Sequence, residues 1–133
     1  MRLFEELLNF IPEGLKESED LRIVGDVVYV LLSTGNKIKI SFDDPDTYHH
    51  WNAIRMQLIN INDTKIDNVL IRFKDVFGRQ NVNGLPFDYH IWEYNHKLEW
   101  YGSKPTWHQI ELMQDEIQSF YSVYEPFSVD NIL

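Results

Sequence analysis

Hydrophobic residues recur along this chain in two periods, and the switches between them divide it into elements. Leu3, Phe4, Leu7, Leu8 and Ile11 fall on one side of a short helix, with Glu5 and Glu6 on the other. Pro12 and Gly14 end it, and residues 13–20 form an acidic, polar connector. The period then drops to two. Residues 21–24 and 27–32 read as strands around a Gly25-Asp26 turn, and residues 33–36 carry the next turn signal. Residues 37–42 alternate strictly, with Ile38, Ile40 and Phe42 inward and Lys37, Lys39 and Ser41 outward. The result is a three-stranded meander. Its outward lysines mark a solvated face or an edge guarded against further pairing.

Asp43-Asp44-Pro45 reads as a helix start. Asp44 caps, Pro45 takes the first helical position and Asp46 complements the dipole. Tyr48, Trp51, Ile54, Leu58 and Ile61 follow at helical spacing, so the helix is expected to end near Asn60. Residues 62–68 form a polar loop. Residues 69–77 read as a strand, with Val69, Ile71, Phe73 and Phe77 on one face and Arg72 and Lys74 pointing away. Residues 78–86, with two glycines and two asparagines, are a long hairpin connection or a functional loop.

The stretch from Leu85 to Ile110 concentrates tryptophan, histidine and tyrosine. Residues 89–94 and 97–101 suit an aromatic β-hairpin around Asn95-His96. A two-residue turn there pairs Tyr94 with Lys97 and Trp92 with Glu99. One face then holds Tyr89, Ile91, Leu98 and Trp100, with Glu93 as a misfit; the other holds His90, Trp92, Tyr94, Lys97, Glu99 and Tyr101. The first face reads as core, and a one-residue slip in the turn would exchange the two. The last helix opens at residues 103–109, where Thr106 and Gln109 fit a capping box. Its stripe is Ile110, Met113, Ile117, Phe120, Tyr121 and Tyr124, and Pro126 stops it.

The expected order is α-βββ-α-βββ-α, an α+β domain over residues 1–133 built from two antiparallel three-stranded meanders and three helices. PDTYH and PTWH resemble one another, but no longer repeat accompanies them.

Composition narrows the function. The chain has 133 residues, no cysteine and a formal net charge of −9. Without cysteine there are no disulfides, thiolate nucleophiles or cysteine zinc sites, which fits a cytoplasmic protein. The start, MRLFEELLNF, carries acidic residues and does not read as a secretory signal. No apolar run approaches the roughly 18 residues of a membrane span. Net acidity disfavours nucleic acid and favours encounter with a basic protein.

No nucleophile elbow, phosphate loop, HExxH or calcium loop occurs. His49 and His50 diverge by about 100° on a helix and cannot chelate together. Asp88, His90 and His108 could form a metal or acid–base cluster. Trp92, Tyr94 and Tyr101 could stack a small ligand. Asp43, Asp44 and Asp46 are better explained as a cap. No motif calls for a cofactor.

In size, acidity and element order the chain resembles bacterial toxin-immunity proteins, small acidic α+β domains with aromatic-rich surfaces. Its first half is also similar to the type III secretion chaperones, although the third strand of the second half and the tryptophan-rich hairpin depart from that pattern. The expectation is a non-catalytic protein-binding domain that neutralises a partner protein, a basic one by charge, through steric occlusion. His90, Trp92, Tyr94, Glu99 and Tyr101 are its candidate contacts. The chaperone resemblance implies a homodimer, and the Asp88/His90/His108 region an enzyme, as alternatives.

Overall fold

A computed structural model describes residues 3–45, 50–78, 92–102 and 104–125. Two short helices come first, α1 (Leu3–Leu8) and α2 (Glu13–Lys16). Five strands follow: β1 (Leu21–Val24), β2 (Val27–Leu31), β3 (Lys37–Asp43), β4 (Ala53–Ile59) and β5 (Lys65–Arg72). Then come helix α3 (Phe73–Phe77), strands β6 (Trp92–Tyr94) and β7 (Trp100–Gly102), and helix α4 (Trp107–Tyr124). The first five strands form one antiparallel sheet in chain order, and β6 and β7 form a second, two-stranded one.

The α+β class and the first meander are as the alternation predicts. Gly25 occupies the left-handed region at φ 63°, which glycine adopts without a Cβ clash in a two-residue turn. The β2–β3, β4–β5 and β6–β7 connections share a different device. The first residue donates its N–H to the carbonyl of the fifth, and the fourth donates back to the first. This holds for Leu32 to Asn36, Asn60 to Thr64 and Asn95 to Glu99, at 2.9 to 3.1 Å. The fourth residue is left-handed each time: Gly35 at 92°, Asp63 at 63°, Leu98 at 63°. In the last two, the leading asparagine Oδ1 also accepts from the third and fifth N–H groups, locking the loop.

In place of two three-stranded meanders and three helices, the described residues form a five-stranded sheet, a two-stranded sheet and four helices, one of which, α2, lies in the expected polar connector and buries Leu15. Three further expectations need correction. The helix expected over residues 45–60 is not there: residues 46–49 lie outside the described residues, and Ala53–Ile59 is strand β4, paired along its length with β3. Ile54 and Leu58 are four apart, a spacing that puts them on one face of either a helix or a strand. Met56 between them completes the alternation. Asp43, beside the cap expected at Asp44, ends β3 and holds Arg55, Nε to Oδ2 at 2.5 Å; the first turn that Asp44 would cap lies outside the described residues. The strand expected over 69–77 begins at Lys65 and gives way at Phe73 to α3. Phe73, Val76 and Phe77 are buried at i, i+3, i+4, so their burial wins over strand propensity.

The third correction is the hairpin register. The turn has three residues, not two, so Tyr94 pairs with Trp100, Glu93 with Tyr101 and Trp92 with Gly102. Trp92 and Tyr94 therefore share a face with Trp100, and Glu93, no longer a misfit, shares the other with Tyr101. Residues 89–91 of the expected first strand lie outside the described residues.

The core fills the side of the sheet that carries Val28, Val30, Ile38, Ile40, Phe42, Ile54, Met56 and Leu58. Leu7, Phe10 and Ile11 from the N-terminal segment and Met113 and Ile117 from α4 pack onto it. Phe10 sits among Phe42, Phe73, Phe77 and Trp100, with ring centroids 5.8 to 6.2 Å away. The hairpin joins through Trp51, which exchanges backbone hydrogen bonds with Tyr94 at 2.8 and 2.9 Å. The capping box of α4 is present: Thr106 Oγ1 accepts from Gln109 N, and Gln109 Oε1 from Thr106 N. Gln109 is 1% exposed and donates Nε2 to the Phe77 carbonyl at 3.0 Å, tying α4 to α3. No described helix is long and apolar enough to cross a membrane.

Candidate functional site

The candidate contacts from the hairpin do not form one surface. Trp92 and Tyr94 are 3% and 1% exposed, inside the core cluster. Burial raises the Tyr94 hydroxyl pKa, with Glu6 and Glu5 adding to the shift. Glu99 and Tyr101 are exposed, and His90 lies outside the described residues. The structure instead gathers Tyr101 with Glu93 and His50: His50 Nδ1 is 3.3 Å from Glu93 Oε1, and its ring centroid is 5.9 Å from that of Tyr101. Trp51 and His96 meet edge to face nearby, at 4.6 Å. Of the alternative cluster, Asp88 and His90 lie outside the described residues and His108 is exposed in the first turn of α4. Among the described residues no three His, Asp or Glu side chains gather closely enough to hold a metal ion.

A shallow apolar cleft of about 230 Å³ runs between β4–β5 and α4, lined by Met56, Val69, Ile71, Phe120 and Val123 with Glu116 and Ser119. Tyr124, at the end of α4, donates its hydroxyl to Asp67 of β5. That bond, with the Asn68 N–H, holds the Asp67 carboxyl below the usual carboxylate range, and the Tyr124 hydroxyl is raised in return.

The larger feature is the opposite side of the five-stranded sheet. Side chains alternate between faces, so register alone defines it. One row runs Arg22–Tyr29–Lys39–Gln57–Asn68 across all five strands. The rows beside it hold Leu31, Lys37, Ile59 and Lys65, then Ser41, Arg55 and Leu70, then Asp43, Ala53 and Arg72. The row of five spans about 19 Å at the usual strand spacing. The buried side chains of the helices join the core cluster on the inner strand positions, and none of the described helices packs on this outer face.

The face is ordered by its own contacts. Arg55 is fixed by Asp43 and by Asn68 Oδ1, at 2.8 Å from NH1. Lys37 Nζ lies 5.2 Å from the Tyr29 ring centroid and 3.3 Å from Asp63. Lys39 occupies the middle of the central strand. Arg22, Lys37, Lys39, Arg55, Lys65 and Arg72 stand on this face against Asp43, with Asp63 reaching Lys37 from the β4–β5 loop, in a chain whose net charge is −9. The helices carry the reverse: Glu5, Glu6, Glu13, Asp75, Glu111, Asp115 and Glu116 against Lys16 and Lys74. The outward Lys37, Lys39 and Ser41 are visible in the sequence. Arg55, Gln57 and Leu70 are not, because β4 reads as helix and β5 cannot be registered without it.

Compared with models of known families, with curated proteins and with solved structures, the chain matches none.

Proposed function

We propose that this chain is a non-catalytic binding protein that occludes a partner protein, and that it does so with the helix-free face of the five-stranded sheet. One observation carries the reading: Tyr29, Leu31 and Leu70, each half-buried, lie among ordered cations in rows across the strands, over a floor of buried Ala53, Gln57 and Ile59, while the buried side chains of the described helices join the opposite face. Apolar and aromatic groups supply contact area, and cations held in place lose little side-chain freedom on binding. Trp92 and Tyr94 support this face from the core side and do not serve as anchors.

The test is hydrogen exchange on the chain bound to the partner it retains from its native cell. Protection across β2, β3 and β4 beyond that of the free protein is the expected result. Protection confined to the β6–β7 hairpin or the helices would refute the assignment of the face. A dimer is the second reading, favoured by Ile23 and Val24, 42% and 61% exposed on edge strand β1. Light scattering at micromolar concentration should then return twice the chain mass.

A further inference from the structure

We infer that the partner docked on this sheet face is an acidic polypeptide surface, whose carboxylates pair with Lys39 and the cations around it. The inference rests on the reading of the face as a binding surface and adds the chemistry of its occupant. Charge in this chain is segregated by layer. The outer sheet positions carry Arg22, Lys37, Lys39, Arg55, Lys65 and Arg72 with Asp43, and Asp63 of the β4–β5 loop reaches Lys37, whereas the helices are acidic. Net charge therefore misleads about the sign of this surface: an acidic chain presents a basic sheet.

The local geometry already accepts carboxylates. Asp43 meets Arg55 at Nε, and Asp63 meets Lys37 at 3.3 Å. Arg55 is a planar fork with five N–H donors, and Asp43 and Asn68 fix its plane on the sheet. Lys39 makes no ion pair with another described residue and sits at the centre of the row, one strand from Tyr29 and one from Gln57. A carboxylate set down there adds to the existing pattern without displacing a partner of Lys39.

Nucleic acid is the competing polyanion, and two observations count against it. The remaining surface of a chain with net charge −9 repels a continuous phosphate backbone. Stacking of bases also needs an aromatic platform, and Tyr29 is the one ring among the described outer positions. A folded acidic protein brings its carboxylates locally and leaves the helical layer unopposed.

The experiment uses the full chain and three labelled probes of equal length, read by fluorescence anisotropy at low and high salt. They are a peptide of alternating glutamate and threonine, one of alternating lysine and threonine, and oligothymidylate. The glutamate peptide should bind best and weaken with salt. Lys39→Glu should loosen it by about tenfold or more, Lys39→Arg should retain it, and Glu111→Lys on α4 should leave it within about twofold. Preference for the lysine peptide, or indifference to Lys39→Glu, overturns the inference. Tighter binding of oligothymidylate overturns it in favour of nucleic acid. Either failure leaves the hydrogen-exchange footprint to decide separately whether the face binds anything. A footprint on β2–β4 with no carboxylate preference removes only the acidic chemistry, and a footprint elsewhere removes both.

Discussion

Gln109 joins two jobs in one buried side chain, and replacing it by glutamate separates them. In the native protein Oε1 accepts from Thr106 N at 2.8 Å while Nε2 donates to the Phe77 carbonyl at 3.0 Å. Gln109→Glu keeps size and shape. It keeps the acceptor for Thr106, and a carboxylate in the first turn of α4 gains about 0.3–1 kcal/mol from the helix dipole. It loses the donor to Phe77. A buried carbonyl without its donor costs about 1–3 kcal/mol, and here a charge faces it at a position 1% exposed. The net expectation near neutral pH is a loss of about 2–3 kcal/mol.

The pH dependence makes this test specific. Burial against a carbonyl raises the folded pKa of the introduced glutamate above its unfolded value of about 4.3. A raised carboxyl binds its proton more tightly in the folded state. Its contribution is fully present below the unfolded value and lost as pH rises through the folded one. Protonated, it can donate to Phe77 again. Urea unfolding of wild type, Gln109→Glu and Gln109→Ala should therefore show the glutamate deficit shrinking towards about pH 4 and the alanine deficit constant. A glutamate variant as stable as wild type at neutral pH would refute the role given to the Nε2–Phe77 bond.

Other outcomes follow from burial and backbone geometry. Trp92→Ala should cost about 3–5 kcal/mol in chemical unfolding, whereas Tyr101→Ala, 53% exposed, should change stability by less than about 0.5 kcal/mol; equal effects would return Trp92 to the surface. The Tyr94 hydroxyl is buried without a hydrogen-bond partner among the described residues, so Tyr94→Phe should be neutral to about 1 kcal/mol more stable at neutral pH. Because the Tyr94 pKa is raised, the unfolded chain ionises first above about pH 10 and wild type loses stability there. The phenylalanine variant should lose less; identical alkaline profiles would contradict the burial. Asp63→Gly should raise the melting temperature, since Asp63 is left-handed at φ 63° and its carboxylate is 81% exposed in its pair with Lys37; a drop in melting temperature would mean that pair outweighs the backbone term.

The sequence was most legible where one period had no competitor. Ile38, Ile40 and Phe42 fit only a strand, and Thr106 with Gln109 marks the start of α4 at the residue where the structure places it. Ile54 and Leu58 fit two periods, and Asp44-Pro45 before them is itself a helix-start signal. Lys65 to Asn68 carry little strand propensity, yet pairing with β4 draws them into β5. At the hairpin Trp92–Tyr94 and Trp100 with Tyr101 fall within the expected strands, but Lys97 and Leu98 belong to the turn and the faces are exchanged. The turn is residues 96–98 with Leu98 left-handed, so the partner of Tyr94 moves from Lys97 to Trp100, an odd shift of three that carries the opposing strand to the other side. The candidate surface inherited that error, and the sheet face stayed hidden behind the misread β4. The cation rows exist only after five strands are aligned.

The sheet order β1-β2-β3-β4-β5 bears on how the chain acquires its structure during synthesis. Every strand pairs with its neighbour in sequence, and tight three-residue loops close β2–β3 and β4–β5. Loop closure is cheap at such lengths, so the sheet can zip locally, strand by strand, as it leaves the ribosome. Its inner face is another matter. Met113 and Ile117, which cover part of it, lie on the last helix, and Trp92 and Tyr94 also arrive late. For that interval a nascent chain exposes Ile38, Ile40, Ile54 and Met56 together on a twisted ribbon. That is the window in which aggregation or chaperone capture competes with folding.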